Sequence, residues 1–151
     1  MSIAIGSDHA GFELKQAVVQ FLRQQGLDVE DVGCHDARSV DYPDIATLVA
    51  RAVAEGKAER GILICGTGIG MSITANKIPG VRAAVCGDTF SAKASREHND
   101  ANVLCLGSRV VGMGLALEIV SAWLQATFSG EERHCRRITK IAALESAGRA
   151  S

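Results

Sequence analysis

Gly61-Ile-Leu-Ile-Cys-Gly-Thr-Gly-Ile-Gly-Met71 decides the fold of this chain. Four residues bounded by glycine form a short apolar strand, and the strand runs directly into a loop in which every second residue is glycine. Gly66, Gly68 and Gly70 allow tight or positive-φ turns that bring several backbone N–H groups toward one point. Met71 to Lys77 can begin a helix whose positive end faces the same point. The stretch therefore predicts a strand, an anion-binding nest and a helix in succession. Cys65 is expected on the exposed rim of that nest, where backbone donors favour a thiolate, and the Thr67 hydroxyl follows two residues later.

The pattern repeats on both sides. Ile3 to Gly6 reads as a strand, followed by Phe12, Leu14, Val18, Val19, Phe21 and Leu22 at helical spacing and a stop at Gly26. Asp28 to Val32 is the second strand, and Pro43 to Ala54 a helix with Ile45, Leu48, Val49, Ala52 and Val53 on its core side. After the glycine loop, a short helix ends near Pro79-Gly80. Val81 to Val85 is a strand, Thr89 to Glu97 a helix, Val103 to Leu106 the fifth strand, and Gly112 to Thr127 a long helix closed by Gly130. A further amphipathic helix follows at about 131–146. Five strand-helix units with short connections imply an α/β fold, a three-layer α/β/α sandwich on a five-stranded parallel, Rossmann-like sheet. Function in such a sheet belongs at the carboxyl ends of the strands. Ser7-Asp8-His9, Cys65 to Gly70, Gly87-Asp88 and Gly107-Ser108-Arg109 fall there.

Composition narrows the chemistry. At 151 residues and 47% apolar content the chain suits one domain, 1–151. Sixteen basic and 17 acidic residues leave a formal charge of -1 with no long block of one sign, which argues against nucleic acid as a partner. No apolar run reaches membrane-spanning length and no export signal is evident, so no membrane partner and a cytoplasmic location are expected. The five cysteines have no Cys-x-x-Cys spacing and no histidines at zinc-finger spacing, so neither a disulfide framework nor a metal site is expected. Cys86 and Cys105, at the ends of apolar segments, read as buried inert thiols.

The anion is expected to be small. Gly6-Ser-Asp-His-Ala-Gly11 lacks dinucleotide spacing, and the loop after Cys65 lacks the lysine of a P-loop. Arg133 and Arg137, one helical turn apart, suit a phosphoryl group, although for this helix taken alone a solvated basic face paired with Glu131 and Glu132 is the first reading. Asp8-His9 reads either as substrate ligands or as a helix cap with an exposed histidine. His98, near a helix end, reads either as a proton-transfer group or as a partner of the helix dipole. Asp41-Tyr42-Pro43 reads first as a helix start and second as a pocket wall supplied by Tyr42.

Taken together and in order, these stretches resemble the type B ribose-5-phosphate isomerases, the group that also contains galactose-6-phosphate isomerase subunits. The likeness runs from Ile3 to at least Ile141. It is carried by Gly6 to Lys15, Asp41 to Pro43, Ile64 to Gly70, Ala75 to Lys77, Ser95 to Asp100, Asn102 to Val111 and Arg133 to Arg137. The resemblance implies interconversion of D-ribose 5-phosphate and D-ribulose 5-phosphate, in the non-oxidative pentose phosphate pathway, with no metal or organic cofactor. It implies Cys65 as the base at C2, Thr67 relaying protons between O1 and O2, and the N–H groups of Gly66, Gly68, Ile69 and Gly70 as a hole for the enediolate. His98 would open the sugar ring, Asp8 and Asn99 would hold hydroxyls, and His9, Arg109, Arg133 and Arg137 would hold phosphate beside Tyr42. Some relatives lack the cysteine and use a glutamate at the position of Met71, so this chain resembles the cysteine-base subgroup. A homodimer is also implied, with His98, Asn99 and Arg109 reaching the partner's pocket and the last helix packing on the partner subunit; a tetramer made of two such dimers is the alternative assembly. Ser7 stands where some relatives have cysteine, and Glu131-Glu132 alter the approach to Arg133. Related substrates such as allose 6-phosphate or galactose 6-phosphate, and a purely binding role, are the competing readings.

Overall fold

A computed structural model describes residues 1–150, with side chains described through 148; the last residue of the 1–151 reading lies outside the described residues. The strands are β1 (Ser2–Ser7), β2 (Asp28–Gly33), β3 (Arg60–Cys65), β4 (Ala83–Val85) and β5 (Val103–Gly107). The helices are α1 (Phe12–Gln24), α2 (Tyr42–Ala54), α3 (Ile69–Ala75), α4 (Thr89–Glu97), α5 (Met113–Gln125) and α6 (Glu132–Ala150). All strand pairs are parallel, in the order β2-β1-β3-β5-β4. This is the expected α/β/α sandwich with an extra C-terminal helix. Helix α6 runs further than the expected 131–146, and among its described residues only His134 is buried.

Each face of the sheet follows from strand alternation. Ile3, Ile5, Ile62, Ile64, Leu104 and Leu106 point toward α1, α4 and α5, where Leu14, Val18, Leu22, Ala92, Ile119, Val120 and Trp123 fill the layer. Ala4, Leu63, Cys65, Val103 and Cys105 point the other way, toward α2 and α3. The buried stripe of α2 is Ala46, Val49, Ala50 and Val53, and Leu48 is 53% exposed, contrary to expectation. Small residues line that stripe because α2 lies close to glycines in the sheet. A Cβ on Gly6 would come within 2.6 Å of Ile45 Cγ2, and one on Gly61 within 2.6 Å of Val49 Cγ1.

Two boundaries moved from their sequence positions for one reason. Helix α3 stops at Ala75, before Pro79-Gly80, and β4 starts at Ala83 instead of Val81. The Asn76 amide pairs with the backbone of Ala83, accepting from its N–H at 2.8 Å and donating to its carbonyl at 3.0 Å, so a side chain takes the place of a strand neighbour. Cys86 and Cys105 are buried as expected, and desolvation pushes both thiols above their ordinary range.

The end of β2 is tied to α1 by an ion pair. Lys15, 1% exposed, sits beside Leu14 on the inner side of α1; its Nζ lies 2.8 and 2.9 Å from the two carboxylate oxygens of Asp31 and donates to the carbonyl of Cys34. Asp31 also accepts from Gly33 N–H at 3.1 Å. Removing the cation leaves acceptors unpartnered, so Lys15→Met is expected to lower unfolding free energy by about 3 kcal/mol, read as the urea midpoint; a variant replacing both Lys15 and Asp31 with apolar residues should recover part of the loss. A second constraint joins β5 to the glycine loop. A Cβ on Gly107 would meet Thr67 O at 2.6 Å and its carbonyl carbon at 2.7 Å. Gly107→Ala is expected to cost about 1–3 kcal/mol in thermal or urea unfolding, whereas Gly114→Ala, with open space around it, should be neutral or stabilising.

Candidate active site

The register of the three central strands brings the site's first half together. Ser7 pairs with Ile64, and Cys65 with Gly107, so the loops after β1, β3 and β5 leave the sheet side by side. Backbone bonds knit them: Asp8 N–H donates to Ile64 O at 3.2 Å, Ser108 N–H to Cys65 O at 2.9 Å and Arg109 N–H to Gly66 O at 3.0 Å. Ser108 Oγ donates to Ala10 O at 2.8 Å. Asp8 is buried, and its carboxylate accepts from Gly11 N–H at 3.1 Å, the local turn that starts α1. His9 is exposed and its Nδ1 accepts from Val40 N–H at 3.3 Å. Asp8, His9 and Tyr42 line a cleft of about 480 Å³ with Ser39, Val40 and Asp41.

Cys65 is not on an exposed rim. It is 5% exposed, and Gly68 N–H is directed at its sulfur at 3.1 Å. Gly68 accounts for this: its φ of 81 turns the chain back over Cys65, and it lies so near β5 that a Cβ would be 3.0 Å from the Leu106 carbonyl carbon. Ile69 N–H donates to Thr67 Oγ1 at 3.2 Å, so two of the loop's N–H groups are engaged by its own side chains. The Tyr42 ring packs on Gly70, where a Cβ would meet Cζ at 2.5 Å, and Tyr42 thus forms one wall. Met71, on the buried side of α3, is fully buried.

Arg109 also belongs to this half. A Cβ at Gly66 would lie 3.5 to 3.7 Å from the Arg109 side chain, which places this arginine over the loop of its own chain. Gly87-Asp88 takes no part. The Asp88 carboxylate caps α4, accepting from Ser91 N–H at 2.6 Å and Ser91 Oγ at 2.9 Å; these bonds hold its carboxyl below the usual range.

The remaining candidates lie elsewhere. Helix α4 runs antiparallel to the strands, so His98, at its C-terminus, and Asn99 sit at the amino end of β5. A strand of this length spans about 17 Å, and the two groups cannot meet Cys65 within one chain. Their turn is braced by Asp100, at φ 46, whose carboxylate pairs with Arg96 at 3.0 Å and Arg82 at 3.4 Å; Arg82 Nε also donates to Asn99 O at 3.0 Å. Arg133 and Arg137, on α6, are at this same end. Arg133 pairs with Glu131 and Arg136 with Glu132, while Arg137 is exposed and forms no ion pair among the described residues.

His134 escaped the sequence reading. It is 5% exposed, its ring centroid lies 4.6 Å from that of His98 at a tilt of 35°, and its Nδ1 is 2.7 Å from Ser129 Oγ. No periodic signal marks it, because its neighbours on α6 are charged and exposed. Among the described residues no cluster of histidine, cysteine and acidic side chains could hold a metal ion, and no helix is long and apolar enough to cross a membrane.

Comparison with known proteins agrees with the stretches that carry the resemblance. The family model described as Ribose/Galactose Isomerase matches residues 3–141. The chain is 52% identical to ribose-5-phosphate isomerase B of Escherichia coli (strain K12) over 143 residues, 95% of each chain. It is 51% identical to a D-erythrulose-4-phosphate isomerase of Pectobacterium atrosepticum over 132 residues, 86% of each. Its structure superposes on the ribose-5-phosphate isomerase B of Clostridium thermocellum with a TM-score of 0.96 and 55% identity, covering 97% of this chain and 99% of that one. The Mycoplasma genitalium ribose-5-phosphate isomerase B, solved with bound ribulose-5-phosphate, superposes with a TM-score of 0.92 at 43% identity, covering 96% of each. A family model matched over residues 3–141, 52% identity to a relative over 95% of the chain and a superposition at a TM-score of 0.96 make this chain a member of the Ribose/Galactose Isomerase family, and an isomerase of sugar phosphates.

Proposed function

We propose that the protein interconverts D-ribose 5-phosphate and D-ribulose 5-phosphate, with Cys65 as the base. One observation carries this reading: the Cys65 sulfur, the Thr67 hydroxyl and the loop's backbone donors converge at the end of β3 beside Asp8 and Arg109. Isomerisation requires removal of a proton at C2 of the open-chain aldose, stabilisation of the enediolate and return of the proton at C1. A thiol is suited to the first step because its unperturbed pKa of ~8.5 is near neutrality. Gly68 N–H, aimed at the sulfur, supplies a fixed positive dipole where negative charge must reside. Thr67 is placed one residue before that donor and would pass a proton between O1 and O2. Donors aimed at the enediolate act on charge that exists only along the reaction path, and so lower the barrier more than they tighten substrate binding.

Ring opening calls for a proton-transfer group, which we assign to His98, with Asn99 on a hydroxyl and Arg133 and Arg137 on the phosphate alongside His9 and Arg109. Since these groups occupy opposite ends of the sheet, one chain does not hold a complete site. We propose that two copies pair so that the His98 end of one faces the Cys65 end of the other, with α6, sparsely buried on its own chain, lying on the partner. Another aldose phosphate remains the second reading, favoured by the 51% identity to the D-erythrulose-4-phosphate isomerase.

The substrate is tested by kcat/KM for ribose 5-phosphate, allose 6-phosphate, galactose 6-phosphate and erythrose 4-phosphate. A pentose preference that falls by about 10²-fold or more in Cys65→Ala, with the fold intact, is the expected result; a folded variant with near-normal turnover would remove the base assignment, and a preference for another sugar would move the substrate. Mixing C65A with His98→Ala under exchanging conditions is expected to restore activity at pockets that draw each intact group from a different chain. No recovery after demonstrated exchange rules out the shared site.

A further inference from the structure

The His98 ring is held by a short bracket that no step of the mechanism above employs. Ser129 N–H donates to Glu97 O at 3.0 Å, next to His98 in the chain. Ser129 Oγ accepts from Glu131 N–H at 3.3 Å and lies 2.7 Å from His134 Nδ1. The His134 ring then lies against that of His98 at 4.6 Å between centroids. Backbone, hydroxyl and two imidazoles thus close a loop between the end of α4 and the start of α6. On the far side, Asp100 with Arg82 and Arg96 fixes the turn that follows His98.

One lone pair of the Ser129 hydroxyl takes the Glu131 N–H, and the hydroxyl proton is free to go to Nδ1; in that arrangement the His134 proton is on Nε2. Burial, followed by Arg133, His98 and Arg137, lowers the pKa of His134 from its ordinary value, with Glu131 acting in the opposite sense. A neutral ring beside His98 avoids setting two imidazolium charges face to face.

We infer that His134 is a positioning residue, a neutral imidazole held by Ser129 that fixes the ring of His98 in the orientation needed to transfer a proton to the sugar ring oxygen. This rests on the ring-opening role proposed for His98. His134 acts through His98, so its loss is expected to reduce kcat and leave the phosphate contacts, and with them KM, largely in place.

The test combines imidazole 15N–1H correlation spectra with steady-state kinetics on the full-length protein and the variants His134→Ala, His134→Phe and Ser129→Ala. Expected are a wild-type His134 carrying its proton on Nε2, a His98 ring resonance displaced by the adjacent ring, loss of that displacement in H134A and its retention in H134F. With ribose 5-phosphate, kcat should fall about tenfold in H134A, part of the 10²–10⁴-fold that general acid catalysis supplies, and recover substantially in H134F. S129A should fall between the two and show a mixed tautomer. A wild-type kcat in H134A while H98A is impaired would overturn this inference alone, as would a wild-type His134 protonated on Nδ1. Should H134A fail to fold, unchanged kcat and unchanged tautomer in S129A would overturn it equally. No turnover by the wild-type protein, or full turnover by H98A, would remove the ring-opening role itself and this inference with it.

Discussion

Backbone packs directly on backbone where the loop after β3 crosses the end of β5, and the site depends on that contact. Gly107 meets Thr67, and Gly68 meets Leu106, at distances that leave no room for a side chain on either glycine. The loop is consequently held by main-chain atoms, which have fewer ways to relax than side chains do. From that contact follow the left-handed turn at Gly68, the donor aimed at Cys65 and the position of Thr67. Arg109, leaving β5 two residues after the contact, lies over Gly66 as a result. The catalytic role proposed for this loop calls for rigid support, since small displacements of reacting groups are costly.

The sheet presents two chemically distinct ends. At the carboxyl end, thiol, hydroxyl, carboxylate and backbone donors gather in the clefts between loops. At the amino end, two histidines and several arginines gather around the join of α4 and α6, held by Asp100, Ser129 and Glu131. Neither group is arranged to serve the other within one chain, because the strands lie between them.

Much of this was legible in the sequence where a period or a glycine pattern carried it. The five strands and the helices between them follow from spacing, four of the strands being apolar runs and β2 an alternating edge strand, and the Cys65 loop is marked by its glycines. Leu48 misled, since the α2 stripe is narrowed to Ala46, Val49, Ala50 and Val53 by glycines in the sheet opposite, and that closeness is tertiary. Cys65 was expected to be exposed because its neighbours lack side chains; the turn at Gly68 closes over it instead. Lys15 was visible as a cation next to Leu14 and four residues before Val19, but its partner Asp31 lies in another element. His134 had no signal beyond a histidine among exposed charges. Arg133 and Arg137 illustrate the converse, since helical spacing aligned them while a local ion pair with Glu131 occupies Arg133.

The strand order has a consequence for how the molecule assembles. β5 lies between β3 and β4, although it is the last strand in the chain. β4 therefore has no sheet neighbour until β5 arrives, and the Cys65 loop has no floor until Leu106 and Gly107 are in place. A chain emerging from synthesis with its first hundred residues can pair β1, β2 and β3, yet it cannot shape the loop that holds its thiol. Long-range closure of this sort slows folding and exposes unpaired strand edges meanwhile. The pocket thus cannot take shape until β5 has joined β3, and a chain stalled before that point would carry the glycine motif without its geometry.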